Sequence, residues 1–414
     1  LALDGGGVRG LISAGILQEI ERRLARRAQS KTFRLCDYFD LIGGTSTGAL
    51  LSAGLARGML AGEAIELYKD IAPDVFDRQA AGVRRPRFDA RRLEQALERV
   101  FGDRELESPD FKTGLAIFAK RIDTGSAWVW TNNPRAKYFN GGENALPNRR
   151  LLVRKLIQAS AAAPTFFEEV KLQLAQSGVG APGDGEGVFV DGAIAGLNNP
   201  SLQLLKVATQ KSYGFGWQAH PERLMILSIG TGYWRPSVDG EALARLPLAN
   251  LAPAAARAVL SLQSMIHDTS QQAIETLQAM SQAPRPWRIN GEVGDMAGDQ
   301  LTPFPILHYQ RFDVRLEASE IGKLGLAYTA AEISQMMDLG SDQPETLNHL
   351  QELGVRAGQA YFQDAQGEAA RDWEKAILPA RFNPPSFSNR PDLPPANRLA
   401  AMGRIFSRRD SATD

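Results

Sequence analysis

Tyr38-Phe39-Asp40-Leu41-Ile42-Gly43-Gly44-Thr45-Ser46-Thr47-Gly48-Ala49-Leu50-Leu51-Ser52-Ala53 is the stretch that decides how this chain is read. It opens as an apolar run short enough for a buried strand and passes through Gly44-Thr45-Ser46-Thr47-Gly48. It then continues as a small-residue helix carrying Leu50, Leu51 and Leu55. Strand, sharp turn and helix with a serine at the turn form a nucleophile elbow. The turn strains the serine, and its neighbours leave no room for a Cβ two places before or after it, hence Gly44 and Gly48. The helix that follows aims its first N–H groups at charge developing beside the hydroxyl. A plain Gly/Ser/Thr loop is the alternative, because the pattern counts only in its structural context.

Upstream, Leu1-Ala2-Leu3-Asp4 reads as the end of a buried strand and Gly5-Gly6-Gly7-Val8-Arg9-Gly10 as a tight loop. From Leu11 to Ala28, Leu11, Ile12, Ile16, Leu17, Ile20 and Leu24 recur at helical spacing. Strand, loop, helix, strand and elbow predict an α/β sheet. Leu1 already stands inside a strand, so native residues are expected before it. Gly5-x-Gly7-x-x-Gly10 also satisfies the dinucleotide fingerprint, but the next strand ends in a serine elbow rather than an acidic ribose ligand. The other use of consecutive glycines is an oxyanion hole, whose backbone donors are worth roughly 3–4 kcal/mol each to a tetrahedral intermediate. Downstream, Val188-Phe189-Val190-Asp191-Gly192-Ala193 is a β-branched run that ends in an aspartate. Such an aspartate is commonly a turn former or cap.

Size and charge set the outer bounds. The 414 residues hold 47 basic and 47 acidic side chains, so no global basic excess points to a nucleic acid polymer. A single cysteine, Cys36, excludes an internal disulfide and a Cys-rich zinc site. No apolar window reaches about eighteen residues and no leader pattern opens the chain, which predicts a soluble, cytoplasmic protein.

Taken together, the glycine loop, the serine elbow and Asp191-Gly192-Ala193 resemble the patatin-like phospholipase family, in this order. Ala159-Ser160-Ala161-Ala162-Ala163-Pro164-Thr165-Phe166-Phe167, Asn198-Asn199-Pro200 and the strand-like Leu224 to Gly232 support the likeness. The resemblance implies a three-layer α/β/α fold with a central, mostly parallel sheet. It also implies a lipid acyl hydrolase acting on membrane glycerophospholipids through a Ser-Asp dyad. Ser46 would be the nucleophile, Asp191 the base, and Gly5, Gly6 and Gly7 the oxyanion loop. Asp4, Arg9, Gly10, Gly44, Gly48 and Gly192 complete the motifs. No metal and no cofactor is implied. The four histidines, His220, His267, His308 and His349, sit in no comparable signature and are taken as packing or surface residues. The rival reading is a non-catalytic nucleotide-binding or scaffold protein that uses Gly5–Gly10 for phosphate.

Residues 1–235 are expected to form the catalytic core, 236–378 a helical extension packed on the same domain, and 379–414 a flexible Pro/Arg-rich tail. Leu115–Ala119 and Ala127–Thr131 predict paired strands, and Leu246–Ala283 two helices. Between Asp74 and Leu97, Arg84, Arg85, Arg87, Arg91 and Arg92 alternate with aromatic and apolar residues. That stretch reads either as a solvated face or as a cap touching anionic headgroups at the inner membrane. Arg398–Arg409 reads as a short interfacial helix or a frayed end. Some bacterial members of the family act in anti-phage signalling under a cyclic nucleotide. Trp217, Trp234, Arg235, Trp287, Arg288, Tyr309 and Arg311 are the cations and flat side chains that such an activator would need. A homo-oligomer is left open.

Overall fold

A computed structural model describes residues 1–77, 87–176, 185–234, 251–290, 292–363 and 368–380. Nine strands form one sheet: β1 Ala2–Leu3, β2 Leu41–Thr45, β3 Gly114–Arg121, β4 Ser126–Thr131, β5 Val170–Gln173, β6 Glu186–Asp191, β7 Met225–Ile229, β8 Ser281–Gln282 and β9 Leu307–Phe312. Their order is β5-β6-β3-β2-β1-β7-β9-β8, with β4 paired to β3. The centre, β3-β2-β1-β7-β9, is parallel throughout. Helices follow as α1 Gly10–Ala28, α2 Leu35–Tyr38, α3 Thr47–Arg57, α4 Ala61–Val75, α5 Ala90–Phe101, α6 Val153–Ser160, α7 Ser201–Thr209, α8 Leu251–Ala279, α9 Ala318–Lys323, α10 Ala330–Met337, α11 Pro344–Ala360 and α12 Glu368–Ile377.

The three layers follow from the two-residue period of the strands. Leu3, Ile42, Leu115, Ile117, Leu227, Ile229 and Phe312 point into one core, covered by α1, α3, α4, α5, α6 and α11. Ala2, Leu41, Ala116, Phe118, Ile226 and Tyr309 point into the other, covered by α7 and α8. A sheet buried on both faces needs near-continuous apolar strands, and β2 is buried along its whole length. The expected α/β/α fold with a mostly parallel sheet is therefore the one observed.

One expectation changes. Leu246–Ala283 does not split into two helices: α8 runs unbroken for 29 residues, anchored at its C-terminal end by buried Ala273, Ile274 and Leu277, and the chain then enters β8. The stretch Phe304–Leu316, which reads as strand-like in the sequence, holds β9, and with β8 it extends the same sheet beside β7. The expected pair of strands is found as antiparallel β3 and β4. No helix among the described residues is long and apolar enough to cross a membrane. Arg84, Arg85, Arg235, most of the Gly/Pro loop before Asp191 and the segment Arg398–Arg409 lie outside the described residues.

Candidate active site

Register on β3 brings the two key residues together. β2 runs parallel to β3 and ends with Thr45 opposite Phe118. β6 runs antiparallel and ends with Asp191 opposite Ala119. Because β4 occupies the opposite edge of β3 over Ala116–Arg121, β2 and β6 share the remaining edge and meet end to end. Ser46, one residue past Thr45, and Asp191 are therefore neighbours through adjacent sheet positions.

Ser46 holds φ 57° and ψ −122°, a conformation that L residues rarely occupy and that costs of order 1–3 kcal/mol. The turn is affordable only with glycine on either side: a Cβ at Gly44 would collide with the Gly48 carbonyl, and one at Gly48 with the Leu3 carbonyl. Ser160 braces the turn from α6, its Oγ accepting the Ser46 N–H (2.8 Å) and donating to the Phe118 carbonyl (2.6 Å). That explains why the segment from Ala159 belongs with the elbow.

Asp191 is buried, and burial pushes its carboxyl up to about 6. The Ala193 N–H, which donates to Oδ1 at 2.8 Å, and the Ser46 hydroxyl hold it from rising further. Among the described residues no cation offsets its charge. Such a carboxylate is a stronger base than one in water and faces a serine hydroxyl. Gly192 opens the short turn after it.

The glycine loop is anchored from several sides. Gly5 donates its N–H to the Asn198 carbonyl (3.0 Å), and Thr231 donates to the Gly5 carbonyl (2.9 Å). Val8 donates to the Leu339 carbonyl (2.9 Å). Gly5 is thus corrected as an oxyanion donor, because its N–H is already spent; the N–H groups of Gly6 and Gly7 have no partner among the described residues. Gly10 begins α1. Arg9 is buried, donates to the Gly232 carbonyl (2.9 Å) and lies over the Trp234 ring, so it fixes the loop.

Arg311 was not legible as part of this frame. From β9 it grips Asp4 with two bonds (3.0 and 2.7 Å) and also reaches Asp313 (2.6 Å) and Ser228 (2.7 Å). Asp313 in turn accepts the Gly232 N–H (2.9 Å). Burial would lower the Arg311 pKa, but the two carboxylates outweigh it and keep the guanidinium charged. One available signal was the charged pair Arg311 and Asp313 at the end of an apolar strand. Of the residues put forward for a cyclic nucleotide, Arg311 and Tyr309 are buried in β9, Trp217 packs on Phe215, Trp234 lies against Arg9, and Arg311 and Trp234 line the cavity at Ser46.

Above these two residues, Ser46 and Asp191, lies a cavity of about 450 Å³ that they line with Gly6 and Gly7 and that is walled by apolar residues of α3, α4, α5 and α8. His267 stands on its wall, stacked with Tyr233; His308 is buried on β9, His220 is exposed and His349 packs on Tyr328.

Fold and site together define an α/β protein built around a strained serine turn that faces a buried carboxylate. Residues 1–205 match the family described as patatin-like phospholipase. Patatin-07 of Solanum tuberosum is 31% identical over 244 residues, covering 56% of this chain and 60% of that protein. Patatin group A-3 of the same plant is 30% identical over 245 residues, with the same coverage. The matched region thus spans about 60% of these relatives' length. Among solved structures, VipD from Legionella pneumophila aligns with a TM-score of 0.37 at 9% identity, over 86% of this chain and 65% of that one. The family match and the patatin relatives support the patatin-like phospholipase family for this region.

Proposed function

We propose that this chain is a lipid acyl hydrolase that cleaves ester bonds of membrane glycerophospholipids through an acyl-enzyme on Ser46. The observation that carries the reading is a strained serine facing a buried carboxylate that has no cation partner among the described residues, at the floor of an apolar cavity. Ser46 Oγ attacks the ester carbonyl carbon while its proton passes to Asp191. The Gly6 and Gly7 N–H groups hold the oxyanion, and the alcohol leaves with the proton from Asp191. Water, deprotonated by the same carboxylate, then attacks the acyl-enzyme carbonyl; the proton passes from Asp191 to Ser46 Oγ as the acyl–Oγ bond breaks and the fatty acid leaves. Apolar walls suit an acyl chain, and a substrate that resides in a bilayer makes the protein act at a membrane surface. Control by a cyclic oligonucleotide is not part of this proposal; the terminal nitrogens of Arg311 are engaged by Asp4, Asp313 and Ser228.

The test is fatty-acid release from phospholipid vesicles by the wild type and by Ser46→Ala. Loss of an activated serine lowers turnover by about a million-fold. A variant within tenfold of wild type would remove Ser46 from the chemistry.

A further inference from the structure

Among the described residues, three arginines line the cavity: Arg9, Arg87 and Arg311. Arg9 and Arg311 are buried and committed to the frame of the glycine loop. Arg87 differs. Its side chain is 29% exposed, and its guanidinium forms a two-pronged pair with Asp338, itself 26% exposed, at 3.1 and 2.7 Å. Its position is nevertheless built. The Arg87 and Phe88 N–H groups donate to the Thr165 and Phe166 carbonyls (2.9 and 3.0 Å), and the guanidinium lies over the Phe88 and Phe166 rings.

A guanidinium fork that fits a carboxylate fits two oxygens of a phosphate equally well. We infer that Arg87 is the subsite for the phosphodiester of the lipid headgroup, and that Asp338 occupies it in the unliganded protein. This rests on the phospholipid reading above. A partly exposed ion pair is weakly held, so one anion exchanges readily for another. Displaced Asp338 keeps the Gly340 N–H on its Oδ1 (3.1 Å), so its charge is not left bare. The exchange occurs at the cavity that holds Ser46, so a headgroup seated on Arg87 places its own acyl esters within the cavity rather than beside it. Asp338 also precedes Leu339, whose carbonyl takes the Val8 N–H, so the latch and the glycine loop share one short segment.

The experiment compares a phospholipid with a neutral diacylglycerol of the same acyl chains in mixed micelles. In parallel, it measures binding of a non-hydrolysable diether phospholipid to the full chain. Arg87→Gln is expected to lower the phospholipid-to-neutral ratio of kcat/KM about 30-fold and to weaken diether binding likewise. Arg87→Lys recovers the charge but only part of the ratio, and Asp338→Asn raises diether affinity severalfold. An unchanged ratio in Arg87→Gln, or unchanged binding in Asp338→Asn, overturns the inference. Inorganic phosphate binding as tightly as the diether lipid would make this a free-phosphate site and overturn the headgroup assignment. Diether binding that depends on Arg87, with neither ester hydrolysed by the wild type, would sink the hydrolase reading and leave the subsite standing.

Discussion

Asp4 and Asp191 are each 3% exposed, and each follows or ends a strand of the same sheet, yet their surroundings are opposite. Asp4 is held by both prongs of Arg311 and forms part of a buried network with Asp313. Asp191 has one backbone N–H and a serine hydroxyl. Burial raises both carboxyls to about 6, so proton affinity does not tell them apart. What differs is the partner: Asp4 is tied by a guanidinium, whereas Asp191 faces a serine hydroxyl to which it can offer its oxygen.

Exchanging the charge at each position sharpens that contrast. Asp191→Asn is expected to lower kcat by about 10⁴-fold or more, because the base is gone while the shape remains. A loss under tenfold would make Asp191 another tie. Arg311→Met leaves Asp4 and Asp313 buried without their cation, which costs about 3–5 kcal/mol and lowers the thermal midpoint by roughly 3–6 °C. An unaltered melting curve would mean that the network contributes nothing to the frame.

The smallest effect has the opposite sign. Burial raises the Asp191 carboxyl to about 6 in the folded chain from an ordinary value of 3.8. Between those values the native state binds more protons than the unfolded state, so stability falls as pH rises through the window. Asp191→Asn should therefore raise the midpoint by a few degrees at pH 7 and leave it unchanged below pH ~4, the gain being about 1–3 kcal/mol. Calorimetry at the two pH values checks this; a destabilised variant at pH 7 would show that the charge is welcome where it sits.

Local chemistry was legible in the sequence, and distant pairing was not. Gly44, Ser46 and Gly48 announce the elbow because the strain and the space that it needs are set within five residues. The α/β layering followed from alternating apolar strands and helical spacing. Arg311 lies 307 residues from Asp4, and its sequence shows a charge without showing which carboxylates meet it. Gly5 illustrates the same limit: three glycines permit a converging loop, but only the position of Asn198 decides which N–H is spent. The cavity wall contributed by α8 and the bracing by Ser160 arise from packing across the sheet, which no local spacing records.

The central claim, that Asp191 is the base for Ser46, is tested most directly by the pH dependence of fluorophosphonate labelling. The account predicts modification at Ser46 with a rate that rises through an apparent pKa of about 6 and is lost in Asp191→Asn. Labelling that survives Asp191→Asn and disappears in His267→Ala would contradict it and assign the proton to the histidine on the cavity wall.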